Sequence, residues 1–96
     1  MKINIFGSTG IIGTKSLNII KKNFPSFKIN LLCANSNTSL LYKQIKLFNP
    51  KYVYLNDDSK ILNFRSKLNS KTKILAKKEL SDYLRSSKSN YTILAI

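Results

Sequence analysis

Two hydrophobic periodicities alternate along this chain, and that alternation limits the folds open to it more than any other feature. Lys2 to Phe6 (Lys-Ile-Asn-Ile-Phe) alternates apolar and polar residues, as a half-buried strand does, and Gly7-Ser8-Thr9-Gly10 breaks it. Gly13, Leu17, Ile20 and Phe24 then recur at helical spacing, which predicts one buried face, and Pro25-Ser26 stops the pattern. Lys28 to Ala34 is a nearly continuous apolar run, expected of a strand covered on both sides. The polar break Asn35-Ser36-Asn37-Thr38 follows, with Thr38 or Ser39 expected to cap a helix striped by Leu41, Ile45 and Phe48 and ending before Pro50. Tyr52 to Leu55 reads as a strand, and Asp57 or Asp58 is expected to cap a helix presenting Ile61, Phe64 and Leu68. Lys73 to Ala76 is a weaker strand, Leu80, Tyr83 and Leu84 mark a short helix, and Tyr91 to Ile96 reads as a last strand. The order βαβαβαβαβ, with short connections and no internal repeat or linker, predicts one α/β domain over residues 1–96. Its sheet is expected to be parallel, with about five strands and helices on both faces.

Composition excludes several alternatives. A chain of 96 residues, 43% hydrophobic with five Tyr and five Phe, is a small folded domain rather than a disordered segment. No apolar run approaches the ~20 residues needed to span a bilayer. The first strand begins at Met1, which leaves no room for a signal or transit peptide and leads us to expect a soluble, cytoplasmic protein. Cys33 is the single cysteine and there is no His, so an intramolecular disulfide and a Cys/His metal site are excluded. Within its apolar run Cys33 is expected to act as a small buried hydrophobe. Lys and Arg number 17 against four Asp and Glu, a formal charge of +13. Such a balance suits nucleic acid or an anionic membrane surface. Only Arg65 and Arg85 are arginines, however, and the lysines are scattered, with pairs at Lys21-Lys22 and Lys77-Lys78 but no longer block. A solvated surface combined with compositional drift of the source genome outweighs a nucleic-acid footprint, so neither nucleic acid nor membrane is expected as a partner.

Gly7-Ser8-Thr9-Gly10-Ile11-Ile12-Gly13 is the informative segment, a G-x-x-G-x-x-G variant of the dinucleotide fingerprint. Gly7 is expected to allow a sharp turn, and Gly10 to let the backbone approach a pyrophosphate at the helix N-terminus, where unpaired N–H groups favour an anion. Gly13 is expected to let helix and sheet pack closely, and Ser8 and Thr9 to add hydroxyl donors. A tight turn without a ligand is the competing reading, and the loop's place between the first strand and first helix weighs against it. The pattern therefore predicts a Rossmann-like doubly wound sheet. NAD-specific sheets place an acid after the second strand to hold the ribose hydroxyls, whereas Asn35-Ser36-Asn37-Thr38 has none. Neutral donors there tilt the cofactor towards NADP, although an ordinary helix-capping loop would look the same and no Lys or Arg lies within it to pair a phosphate.

Together these segments resemble the 1-deoxy-D-xylulose-5-phosphate reductoisomerase family. Lys2 to Thr14 is similar to its opening strand and GSTGSIG loop, Leu31 to Asn37 to its A-G-x-N stretch, and Phe48-Asn49-Pro50-Lys51-Tyr52-Val53 to its entry into the third strand. Tyr91 to Ile96 resembles the strand before a V-G-x-x-G-L segment that this chain lacks. The resemblance implies that Thr9, Gly10, Ile11 and Ile12 lie along the phosphates of NADPH, with Asn35, Ser36 and Asn37 at the adenosine ribose and its 2′-phosphate. Three positions depart from the family: Ile11 for Ser, Asn35 for Gly, and Ser36 where Lys or Arg is common. Ile11 removes a hydroxyl donor, Ser36 weakens the grip on the 2′-phosphate, and Asn35 is expected to keep its turn through tolerance of left-handed geometry.

The resemblance further implies an NADPH-dependent oxidoreductase of the non-mevalonate isoprenoid pathway. Such an enzyme converts the sugar phosphate 1-deoxy-D-xylulose 5-phosphate to 2-C-methyl-D-erythritol 4-phosphate with Mg²⁺ or Mn²⁺, and the full-length enzyme is open to homodimerisation. The metal ligands, the substrate-phosphate site and the catalytic residues lie beyond the stretch resembled, and Asp57, Asp58, Glu79 and Asp82 make no metal triad. No catalytic residue is assigned, and the chain alone is expected to be inactive, either as a fragment of a longer protein or as a decayed reading frame. Two other classes compete. One is a different NADP-dependent Rossmann enzyme, such as a semialdehyde dehydrogenase or a nucleoside-sugar epimerase relative. The other is a basic, non-enzymatic nucleotide- or nucleic-acid-binding module.

Overall fold

A computed structural model of the chain describes residues 1–86 and 91–95. Strands β1 (Lys2–Phe6), β2 (Lys28–Ala34), β3 (Tyr52–Leu55), β4 (Lys73–Ile74) and β5 (Tyr91–Leu94) alternate with helices α1 (Ile11–Asn23), α2 (Thr38–Phe48), α3 (Ile61–Lys67) and α4 (Lys77–Ser86). The strands form one sheet in the order β4-β3-β2-β1-β5, and every neighbouring pair is parallel. The chain walks outward from β1 to β4 and then crosses back to lay β5 on the other side of β1. That reversal opens a crevice at the carboxyl ends of the central strands, where doubly wound sheets bind ligands.

The helices are unevenly shared between the faces. Leu17 and Ile20 of α1, Leu41 and Ile45 of α2 and Phe64 of α3 join Ile3, Ile5, Ile29, Leu32, Val53 and Leu55 in the main core. Across the sheet, Leu31, Cys33 and Leu75 form a smaller core bordered by Phe6, Tyr52, Tyr54, and Leu80 and Tyr83 of α4. Strict alternation along β2 would place Ile29, Leu31 and Cys33 together. Instead the register shifts between the pairs Ile3–Ile29 and Asn4–Leu31, leaving Asn30 as an extra residue. This bulge sends Ile29, Leu32 and Ala34 to one core and Leu31 and Cys33 to the other. Asn30 then donates to the Tyr83 hydroxyl, which itself donates to buried Asn4 Oδ1 at 2.8 Å.

Several expectations need correction. Phe24 is not on the buried stripe of α1: the helix ends at Asn23, and Phe24 turns out to stack on Phe27 with ring centroids 5.0 Å apart. Asn37 rather than Thr38 or Ser39 caps α2, its side chain accepting from Leu40 N at 3.2 Å. Asp57 caps a 3₁₀ turn at Asp58–Lys60 that precedes α3, while α3 itself has no side-chain cap. Leu68 lies just past the end of α3. The fourth strand is shorter than expected, although Leu75 N still donates to Val53 O at 2.8 Å. Ile96 lies outside the described residues.

Candidate functional site

The glycine loop sits at the carboxyl edge, tied to the end of β2. Gly7 and Ser8 both donate their N–H groups to Cys33 O, at 2.9 and 3.0 Å, and Gly10 N donates to Gly7 O at 3.1 Å. Gly7 has φ +80, and a Cβ there would come within 2.5 Å of Ala95 O, so both backbone conformation and the end of β5 demand glycine. A Cβ on Gly13 would lie 2.0 Å from Gly7 O. The close packing expected at Gly13 is thus against the loop's own backbone rather than the strands. Gly10 differs from both. Its φ of −77 is open to any residue, and an added Cβ would meet only Gly7 O, at 3.5 Å. Nothing in the fold requires glycine there, and the space in front of it is open. Gly10 is also the N-cap of α1, which has no side-chain cap and no acidic residue in its first turn. The first N–H groups of that helix, at Ile11 and Ile12, are therefore left for an anion.

The side chains of this loop divide. Thr9 borders the crevice, but Ser8 is fully buried, and its Oγ has no hydrogen-bond partner among the described residues. The expectation that Ser8 donates to an anion is therefore wrong: the hydroxyl points into the protein. Ser8 O is held instead by Gln44, whose Nε2 donates to it at 2.7 Å, with Thr14 Oγ1 at 3.5 Å from the same oxygen. Gln44 is 4% exposed and lies among Leu41, Ile45 and Phe48 on the inner stripe of α2. Sequence reasoning passed over it, although a polar residue at a core spacing was the available signal. Ile11 and Ile12 expose side chains without polar atoms, so any hydrogen bond they give a ligand comes from their backbone.

The loop after β2 is joined to the loop after β3. Asn56 N donates to Ala34 O and Asp57 N to Asn35 O, both at 2.9 Å, so the ladder continues past the strand ends. Asn35 Oδ1 accepts from Asn56 Nδ2 at 3.0 Å, and the Asn37 carbonyl oxygen is engaged in capping α2. Asn49, not Asn35, is the non-glycine residue with positive φ among the described residues, so the left-handed turn expected at Asn35 does not occur. Lys60 Nζ donates to Ser36 O at 3.2 Å, bringing a cation that the loop's own sequence lacks. Asp57 keeps its carboxyl below the usual range, chiefly through the Ser59 hydroxyl.

A cavity of about 710 Å³ lies between these loops and α4. Of the residues singled out in the sequence, Thr9, Gly10 and Asn35 line it, whereas Ile11, Ile12, Ser36 and Asn37 stand outside its wall. Phe6, Tyr54, Leu80 and Leu84 supply apolar surface, and Lys77 and Ser81 supply polar groups from α4. Cys33 also borders it, but burial pushes its thiol up to about 12, far from the range of a nucleophile at neutral pH. A second cleft of about 570 Å³ lies at the opposite edge, between the C-terminal ends of α1 and α2. The helix carbonyls there are a poor setting for an anion despite Lys21, Lys28 and Lys51.

Comparison with known proteins agrees with this geometry. The sequence profile of 1-deoxy-D-xylulose 5-phosphate reductoisomerase matches residues 3–96. The reductoisomerase of Pelagibacter ubique is 47% identical over 74 residues, covering 76% of this chain and 19% of that protein. The chloroplastic enzyme of Mentha piperita is 44% identical over 66 residues, covering 69% of this chain and 14% of that protein. The chain thus spans about a fifth or less of these curated relatives. Among solved structures, the Zymomonas mobilis reductoisomerase in complex with NADPH superposes with a TM-score of 0.85 at 25% identity, over 99% of this chain and 25% of that one. A reductoisomerase in complex with NADPH, fosmidomycin and magnesium shares the fold, with a TM-score of 0.88 at 22% identity, over 100% of this chain and 24% of that one. With its parallel sheet, its glycine loop at the carboxyl edge and this match along nearly its whole length, the chain belongs to the 1-deoxy-D-xylulose 5-phosphate reductoisomerase family.

Proposed function

We propose that this chain is the NADPH-binding part of a 1-deoxy-D-xylulose 5-phosphate reductoisomerase. The observation that carries the reading is Gly10: glycine stands where the fold tolerates a side chain, at the uncapped N-terminus of α1, facing open space. A ligand explains that residue and packing does not. The pyrophosphate would lie against the N–H groups of Ile11 and Ile12, with the Thr9 hydroxyl beside it. The adenosine end would lie at Asn35, Ser36 and Asn37. Both Asn oxygens are used inside the protein, so the amide nitrogens are left to donate, as a 2′-phosphate requires. Bound NADPH supplies a hydride, and this chain's residues hold and orient the nucleotide that carries it. In the whole protein that hydride would serve the conversion of 1-deoxy-D-xylulose 5-phosphate to 2-C-methyl-D-erythritol 4-phosphate, in the cytoplasm. The described residues do not suit Mg²⁺ or Mn²⁺, since no three of His, Cys, Asp and Glu converge among them. Calorimetric titration of the purified chain tests the reading. NADPH should bind saturably and more tightly than NADH, with no turnover when Mg²⁺ and substrate are added. Absence of nucleotide binding would refute it.

A further inference from the structure

Charge is unevenly spread where the two polar loops meet. Nothing between Asn35 and Asn37 is ionisable, and the side-chain oxygens of Asn35 and Asn37 already accept hydrogen bonds. Lys60 brings its ammonium to this loop from the other side of the β2–β3 junction, donating to Ser36 O at 3.2 Å. Its position follows from backbone geometry. The ladder Ala34–Leu55 continues through Asn56 N to Ala34 O and Asp57 N to Asn35 O, and Asp57 then opens the 3₁₀ turn that ends at Lys60. One oxygen of the carboxylate beside it, Asp57 Oδ1, accepts from Ser59 N at 3.1 Å and Ser59 Oγ at 2.6 Å, and the Lys60 charge also helps to lower the Asp57 carboxyl. Lys60 makes no ion pair among the described residues. An ammonium has three donors, and Ser36 O uses one.

We infer that Lys60 is a specificity-determining residue for the cofactor, supplying from the loop after β3 the cation that pairs with the 2′-phosphate of NADPH. The inference rests on the nucleotide-binding reading above and assigns a group that reading lacks, since Ser36 has no charge. A 2′-phosphate carries nearly two negative charges at neutral pH and offers several acceptors. Lys60, the amide nitrogens of Asn35 and Asn37 and the Ser36 hydroxyl would meet it with donors. NADH, with a bare 2′-hydroxyl, gives Lys60 little to bind.

The competing account is that Lys60 only closes the Ser36 carbonyl. Titrations of the full chain, Lys60→Ala, Lys60→Arg and Lys67→Ala with NADPH and with NADH separate the two. Lys67, exposed in the last turn of α3, removes the same charge away from the loop. Lys60→Ala should weaken NADPH by about tenfold and NADH by less than about twofold, as expected of one partly solvated charge-assisted contact. Lys60→Arg should restore most of the preference, and Lys67→Ala should leave both affinities unchanged. Equal losses for the two nucleotides, or no loss, would overturn the assignment of Lys60 while leaving nucleotide binding intact. NADH binding as tightly as NADPH to the unmodified chain would overturn it as well. Failure of the unmodified chain to bind either nucleotide would remove the functional reading itself, and the role of Lys60 with it.

Discussion

The two faces of the sheet are built for different purposes. One is covered by α1, α2 and α3 and is almost wholly apolar, with Ile5, Leu17, Leu32, Leu41, Val53, Leu55 and Phe64 buried. The other is covered by α4, which buries no residue completely, and its central contact is polar: Asn4, Asn30 and Tyr83 bond to one another. The cavity opens on this second side, walled by Phe6, Tyr54, Leu80 and Leu84. Hydrophobic burial, the dominant favourable contribution to folding, is thus concentrated on one face. The other face keeps room for a ligand at the expense of close packing.

Gly13 and Gly10, the last and the middle glycine of the loop, test this contrast most severely. Gly13→Val on α1 drives a side chain into Gly7 O, and is expected to destabilise the chain by about 4 kcal/mol or more. Gly10→Val on the open side should cost no more than about 1 kcal/mol, as a poorer N-cap. It should nevertheless reduce NADPH affinity by more than about a hundredfold, by occupying the space in front of α1. Melting temperature and nucleotide titration of both variants decide the matter. Normal NADPH binding by Gly10→Val would make the loop a simple turn.

Cavity-forming substitutions in the two cores should differ less, but in the same direction. Phe64 is 1% exposed and stacks on Tyr42 with ring centroids 4.6 Å apart, so Phe64→Ala should cost about 3–5 kcal/mol. Leu80 of α4 is half-buried at the edge of the smaller core, and Leu80→Ala should cost about 1–2 kcal/mol. Equal losses in urea denaturation would erase the difference between the faces.

Acid should have the smallest effect, acting at Asp57 in the loop after β3 and, on the α4 side, at Glu79. Ala76 N donates to Glu79 Oε1 at 2.9 Å, and Lys73 pairs with Glu79 Oε2 at 2.9 Å. The Ala76 N–H first, and then Lys73, lower the Glu79 carboxyl below its ordinary 4.5. A carboxyl lowered on folding contributes stability that is fully present above its unfolded value and is lost as pH falls through the folded one. Protection from hydrogen exchange at the start of α4, relative to the intrinsic rate at each pH, should therefore fall modestly as pH drops below 4.5. Glu79→Gln should abolish that pH dependence, and an unchanged profile in the variant would show that Glu79 is not its source.

The strands and helices were readable because their periodicity reflects which side chains face the core, and five parallel strands follow from their alternation with helices. Reading failed at helix ends, where exact capping geometry decided, and where strand pairing did. Phe24 fits the α1 stripe by spacing, yet its partner is Phe27 beyond the helix end. Asn37 caps α2 in place of Thr38 because its side chain reaches Leu40 N. The bulge at Asn30 reassigns β2 between two cores, which no count of apolar residues reveals.

The candidate site divides along the same line. Local sterics are written in the residues themselves, so the turn at Gly7 is legible without any fold, whereas the close approach expected of Gly13 against the sheet is made instead to the loop backbone. Contacts between distant segments are not legible in this way. Ser8 turns inward because the loop is tied to Cys33 O and Gln44, and Gln44 reaches it only once α2 has packed. Lys60 meets Ser36 because parallel pairing sets the end of β3 beside the end of β2, across 24 residues of sequence. Local chain geometry is set by neighbours within a few residues and survives in the sequence. Which polar groups meet at the crevice depends on strand order and register, and these exist only after the sheet has formed.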